Sequence, residues 1–314
     1  MLVDTSDGYV RYWGGYGDHL SRESTPTEVT DTAWCARSAQ LVSRMADILG
    51  MSEDAEHYRQ IHESFKQAWQ NTFVTPEGIT TCDTQTSYAL GLAFGLFPEE
   101  SEGAAKERLA LLAEYSGYQI NTGYSGINYL LPVLSDAGRE DAAYKLLLQR
   151  EYPSLLYLVD HGATTTWESF HCYQPEGEQY RLDGSLNHYT LGTIAGWLYM
   201  DVLGIQSDEN NPGYHHILLE PKVNDALSFA KGSYDSIYGK ISSSWEKTET
   251  GYQYTFVIPA NTSATLTLPA PEEGKEYLES GKPVDSAEGV EILDAPEGKV
   301  CFKLLSGSYT FTVE

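Results

Sequence analysis

Apolar residues in this 314-residue chain repeat with one period before Gly204 and with another after it. Upstream they return every three to four positions, the spacing of one face of a helix. Such patterns predict helices over 32–49, 54–73, 84–94, 100–115, 127–134, 141–149 and 186–203, with Gly50 and Gly138 as stops. The first carries Ala33, Trp34, Ala36, Leu41, Met45 and Ile48 as its expected buried stripe. Downstream the helical period is lost. Short alternating runs at 216–219, 228–234, 240–245, 252–258, 264–268, 299–304 and 309–313 are divided by Gly and Pro turns, the pattern of a β-sandwich. The segment 269–296, acidic and with four prolines, reads as a long loop or an edge of that domain. Residues 8–32 are polar, aromatic and glycine-rich, which is loop chemistry. In the helical part, apolar helices alternate with more polar ones. That suits a ring of helical hairpins with inner helices buried and outer helices solvated. The expected organisation is a helical domain over 1–205 and a β-domain over 206–314.

Charge and cysteine usage narrow the function. The chain holds 45 acidic and 20 basic residues, a formal charge of -25. Nucleic acid and anionic membrane surfaces are repelled by such a field, whereas a neutral sugar is indifferent to it. Cys35, Cys82, Cys172 and Cys301 are scattered, with neither a CxxC pair nor a zinc spacing, so they read as free thiols. Free thiols, and an N-terminus without a basic and apolar leader, read as a cytoplasmic protein.

The chemistry concentrates in Gly162-Ala163-Thr164-Thr165-Thr166-Trp167-Glu168-Ser169. Three consecutive threonines discourage a helix. The run 154–159 before them is apolar enough to be buried, and Ser185-Leu186-Asn187-His188-Tyr189 after them opens the last expected helix. Glu168 and His188 are therefore expected to meet across one cavity. Asp160 and His161 read either as neighbours of Glu168 or as solvated loop residues, and Asp83 as a turn residue. A carboxylate beside an aromatic suits a sugar site. A surface glutamate beside a packed tryptophan would give the same local pattern.

Taken together, Tyr16-Gly17-Asp18, Pro153-Ser154, the Gly162–Glu168 stretch and Ser185-Leu186-Asn187-His188-Tyr189 resemble the bacterial α-L-rhamnosidases of glycoside hydrolase family 78, and the likeness continues through Gly196-Trp197-Leu198-Tyr199 and Pro212-Gly213-Tyr214. The resemblance implies a multidomain α and β protein: part of an (α/α)6 barrel of the six-hairpin glycosidase type, followed by an antiparallel β-sandwich. It implies inverting hydrolysis of terminal non-reducing α-L-rhamnose in a glycoside or oligosaccharide, with Glu168 as general base and Asp18, His19, Trp167 and His188 on the substrate. His19 stands where the family normally has tryptophan after its Gly-Asp pair. The family's general acid belongs to an acidic segment upstream of that pair, and this chain reads as starting too late to hold it. An inactive fragment or a rhamnose-binding pseudoenzyme is the alternative expectation. About half the barrel's helices are present, so exposed apolar faces and self-association are expected. An open Glu168 loop would leave its carboxyl near the ordinary value of about 4.3.

Overall fold

The computed structural model describes residues 16–176, 179–182 and 184–313. It comprises two compact units, parted between Ile194 and Ala195. Residues 8–15 of the expected N-terminal loop lie outside the described residues.

Among the described residues the first unit holds seven α-helices: α1 Thr27–Ile48, α2 Ser52–Phe73, α3 Gln85–Ala93, α4 Glu99–Tyr115, α5 Ile127–Asp136, α6 Glu140–Leu148 and α7 Leu155–Asp160. Local chemistry sets several of the starts. Thr84 and Ser87 form a reciprocal capping box on α3, and the Ser154 hydroxyl accepts the Tyr157 N–H at the start of α7. α2, α4 and α6 place acidic residues in their first turns, where the helix dipole favours negative charge. The helices pack as hairpins, α1 on α2, α3 on α4 and α5 on α6, while α3 also meets α1 and α5. α3 and α5 are the most thoroughly buried, as the inner helices of such a ring should be.

Four expectations are corrected. The first helix starts at Thr27 rather than residue 32, with Pro26 at its N-cap. Its buried face is Val29, Ala33, Ala36, Ala39, Ser43 and Ala46, small residues that let α2 approach closely, whereas Trp34, Met45 and Ile48 are exposed. The run 154–159 is only partly interior: Ser154 and Leu158 are buried and Val159 is exposed. The long helix expected over 186–203 starts only at Leu191 and does not form as one regular α-helix. In its place are an irregular loop, a 3-10 turn at Leu191–Ile194, and, opening the second unit, an α-turn at Ala195–Trp197 that runs into a π-helix at Leu198–Val202. A small hairpin, β1 Tyr173–Glu176 with β2 Gln179–Leu182, precedes that loop.

The second unit is built of two sheets. Its strands are β3 Ile205–Ser207, β4 His216–Leu219, β5 Phe229–Ser236, β6 Gly239–Lys247, β7 Tyr252–Ile258, β8 Ser263–Pro269, β9 Tyr277–Glu279, β10 Lys282–Pro283, β11 Val290–Leu293, β12 Lys299–Leu304 and β13 Gly307–Val313. One sheet has the order β10-β9-β13-β7-β6-β5 and is antiparallel throughout; the other runs β11-β12-β8-β4-β3, with β4 parallel to β8. Alternation decides what is interior. In β8, Ala264, Leu266 and Leu268 are buried and the residues between them are less so. The sheets meet face to face through Phe302 of one and Phe311 of the other, stacked with ring centroids 5.4 Å apart. Within this unit the Trp245 indole donates to the Val202 carbonyl at 2.7 Å. The segment 269–296 is an edge rather than a plain loop, since it supplies β9, β10 and β11.

Candidate active site

Four segments of the helical unit converge: 16–23, 121–126, 164–168 and 184–190. The first two cross backbone to backbone. A Cβ at Gly123 would lie 2.2 Å from the His19 carbonyl oxygen, so no other residue fits there without moving the chain. The Tyr124 N–H donates to that same carbonyl at 3.0 Å.

Asp18 ties the crossing together. Its Oδ2 accepts the Thr86 hydroxyl and the Gly123 N–H at 2.8 Å; its Oδ1 accepts the Ser125 N–H at 2.9 Å and the Gly126 N–H at 3.2 Å. A carboxylate offers about four lone-pair positions, and four donors fill them. The side chain is 5% exposed. Burial pushes its carboxyl above the usual range, against the pull of the four donors. This geometry fills both oxygens of Asp18 from within the chain.

The second pair of segments is laced in the same non-local way. The Glu168 N–H donates to the Ser185 carbonyl at 2.9 Å, and the His188 N–H to the Thr166 carbonyl at 2.8 Å. The Thr165 and Thr166 hydroxyls donate to the Leu186 and His188 carbonyls. These bonds use the backbone groups that a helix from residue 186 would need, which is why no helix starts there. The Ser185 N–H donates to Glu168 Oε2 at 2.7 Å. Gly184 makes room for it: a Cβ there would sit 3.1 Å from Glu168 Oε2 and 2.9 Å from the Cys172 sulfur.

Glu168 is half-buried. Its carboxyl is not near its ordinary value but below it. The Ser185 N–H is the main cause, helped by the Tyr124 hydroxyl and then by the charges of His188 and His19, with desolvation opposing them. The Thr190 N–H donates to His188 Nδ1 at 3.3 Å, so the neutral ring carries its proton on Nε2. Around the carboxylate the rings form a chain. Tyr16 meets His19 at 5.0 Å, His19 meets Tyr124 at 5.1 Å, Tyr124 meets His188 at 5.3 Å, and His188 meets Tyr189 at 4.9 Å. Tyr16 and Tyr189, at the two ends, are exposed. The arrangement offers an ionised acceptor, an imidazole donor and exposed aromatic faces, the equipment for holding a polyhydroxylated ring and drawing a proton from water.

The remaining predicted residues divide. His19 and His188 are brought to Glu168. Trp167 is 3% exposed and lies beneath the loop. Asp160 pairs instead with Arg150 at 2.6 Å, and His161 Nδ1 meets the Tyr157 carbonyl at 2.7 Å. Asp83 sits at a left-handed backbone position and pairs with Arg108. Sequence reasoning missed Tyr124, Ser185 and Thr190 as parts of the site. The only local signal was an aromatic set between glycines in Gly123-Tyr124-Ser125-Gly126. Among the described residues, no group of three or more His, Cys, Asp or Glu could hold a metal, and no helix is long and apolar enough to cross a membrane.

Two family models match successive parts of the chain. Residues 4–202 match the model of the bacterial alpha-L-rhamnosidase 6 hairpin glycosidase domain, and residues 204–282 that of the bacterial alpha-L-rhamnosidase C-terminal domain. An alpha-L-rhamnosidase of Streptomyces avermitilis is 35% identical over 314 residues, which cover 99% of this chain and 29% of that protein. One from Formosa agariphila is 30% identical, covering 98% of this chain and 34% of its own length. The chain therefore spans about a third of the curated relatives it matches. A crystal structure of the Streptomyces avermitilis alpha-L-rhamnosidase complexed with L-rhamnose superimposes with a TM-score of 0.87 at 33% identity, over 98% of this chain and 29% of that one. The alpha-L-rhamnosidase of Dictyoglumus thermophilum gives a TM-score of 0.85 at 27% identity.

Proposed function

This chain belongs to the bacterial alpha-L-rhamnosidase six-hairpin family, and from that premise we propose that it carries the base side of an inverting site for terminal α-L-rhamnose. The observation that supports this best is the state of Glu168: half-buried, ionised below the usual carboxyl range, and flanked by His19 and His188. On this reading a water attacks the anomeric carbon, Glu168 takes its proton, and the glycosidic C–O bond breaks as the leaving oxygen is protonated by an acid outside these residues. His188 Nε2–H and His19 contact sugar hydroxyls. Asp18 and Trp167 act from beneath, by fixing the two loops. The functional division falls near residue 205, with the β-domain beyond it.

The sugar is a neutral ligand, which a chain of charge -25 neither attracts nor repels by its field. Nucleic acid and membrane are not partners on this reading. Self-association, if the chain is handled alone, uses the outward face of α1, where Met45 and Ile48 are 56% and 84% exposed. Four free cysteines suit a reducing, cytoplasmic compartment.

Proton NMR of p-nitrophenyl α-L-rhamnoside with the purified chain tests the proposal. The β anomer of free rhamnose is expected as the first sugar signal. The α anomer first would overturn the role of Glu168 as base. No release of sugar, with L-rhamnose still shifting the His188 ring signals, would make this chain a binding module instead.

A further inference from the structure

Tyr124 is held more firmly than a surface tyrosine needs to be. Its ring lies between two histidines, edge-on to His19 at 5.1 Å and tilted against His188 at 5.3 Å. Its backbone N–H is bonded to His19, and the amides on both sides of it are held by Asp18. The ring therefore cannot swing away without undoing the crossing of two loops. At its far end the hydroxyl is buried and has no hydrogen-bond partner, and the same is true of the Thr190 hydroxyl. Yet Tyr124 faces both Thr190 and Glu168 closely enough for each to act on it. A buried hydroxyl left unpaired is costly, and pairing these three groups with one another would remove that cost. Chemistry then fixes the direction. An ionised carboxylate only accepts, so the Tyr124 hydroxyl is the donor, and its own oxygen is left to accept from Thr190.

We propose that Tyr124 is a positioning residue for Glu168: its hydroxyl, supported by that of Thr190, donates to the carboxylate and holds it ionised and aimed at the attacking water. The proposal rests on Glu168 being the base. The electrostatics agree from both sides. Tyr124 contributes to lowering the Glu168 carboxyl, after the Ser185 N–H, while burial and then the Glu168 charge push the Tyr124 phenol up to about 12. Asp18 enters indirectly, because the amides it binds place Tyr124. This links the buried carboxylate to the half-buried one through a single aromatic side chain.

The test is a carbon-observed pH titration of the Glu168 carboxyl in the full chain, compared with Tyr124→Phe and Thr190→Val. Tyr124→Phe keeps the ring contacts and removes the donor. It should raise the Glu168 midpoint by about half a unit, with a smaller rise for Thr190→Val. An unmoved midpoint in Tyr124→Phe, with the amide spectrum of the folded chain retained, overturns the proposal. If that variant does not fold, an unmoved midpoint in Thr190→Val overturns it equally. Where the protein turns over a rhamnoside, Tyr124→Phe should move the acid limb of the rate profile by the same half unit and lower kcat about tenfold with KM little changed. The titration reads the carboxyl itself, so absent turnover would count against the glycosidase reading and leave the Tyr124 contact to be decided by the midpoint.

Discussion

Asp18 and Glu168 are two loop carboxylates in one helical unit, and they are held in opposite ways. Asp18 is enclosed, with four donors on its two oxygens. Glu168 is half-buried and takes one firm backbone donor, from Ser185, on Oε2. A carboxylate whose lone pairs are all filled can only organise the chain around it. One with room at its second oxygen, drawn below the usual range, can accept a proton from a substrate or water. Motifs alone do not separate these roles, because both residues stand in stretches that resemble the same family.

The contrast is broken most severely at the buried group. Asp18→Asn puts a donor where the Thr86 hydroxyl or the loop amides also donate, and should destabilise the helical unit by about 3–5 kcal/mol, read as a fall in its denaturation midpoint. Gly123→Ala tests the same crossing from the partner loop. Its Cβ meets backbone at 2.2 Å, and a loss of about 2–3 kcal/mol is expected. Near the other carboxylate the effect should shrink. Gly184 has a φ of +105° and closes on Cys172 and Glu168, so Gly184→Ala should cost about 1–2 kcal/mol and also disturb the Glu168 carboxyl. Equal losses at Asp18 and Gly184 would mean that the two loops share the structural work, and the contrast would fail.

These positions also show what the sequence could and could not disclose. Helices α2 and α4 and strands β4, β7 and β12 lie where the apolar period puts them, because each buries a face that its own spacing defines. α1 broke the rule that large residues mark the inner face, since close packing against α2 selects alanines. The late and irregular start of the last helix is a different failure. Its propensity is overruled by bonds from Thr165 and Thr166, far back in the chain, which no local pattern contains. The strands hidden in 269–296 are short edges, where polar and proline-rich sequence is usual. Within the site, motif order brought out Glu168, His19 and His188. Tyr124 and Thr190 join them only through folding.

The pH dependence follows from the lowered Glu168 carboxyl. A group whose folded value lies below its unfolded one favours the ionised folded state above that range and loses the advantage as pH falls through the folded value. Glu168 should thus remain ionised below the ordinary glutamate value of about 4.3, and, with Glu168 as the proposed base, the acid limb of any rate profile should fall below it too. An acid limb above that value would assign it to a different group.

The most direct measurement is nitrophenol release from p-nitrophenyl α-L-rhamnoside by the wild-type chain and by Glu168→Gln, with both unfolding midpoints recorded. The account predicts a loss of at least about a hundredfold in rate with the unfolding midpoint little changed. A Glu168→Gln protein that keeps the wild-type rate, or that unfolds as readily as Asp18→Asn, would contradict the division of labour between the two carboxylates.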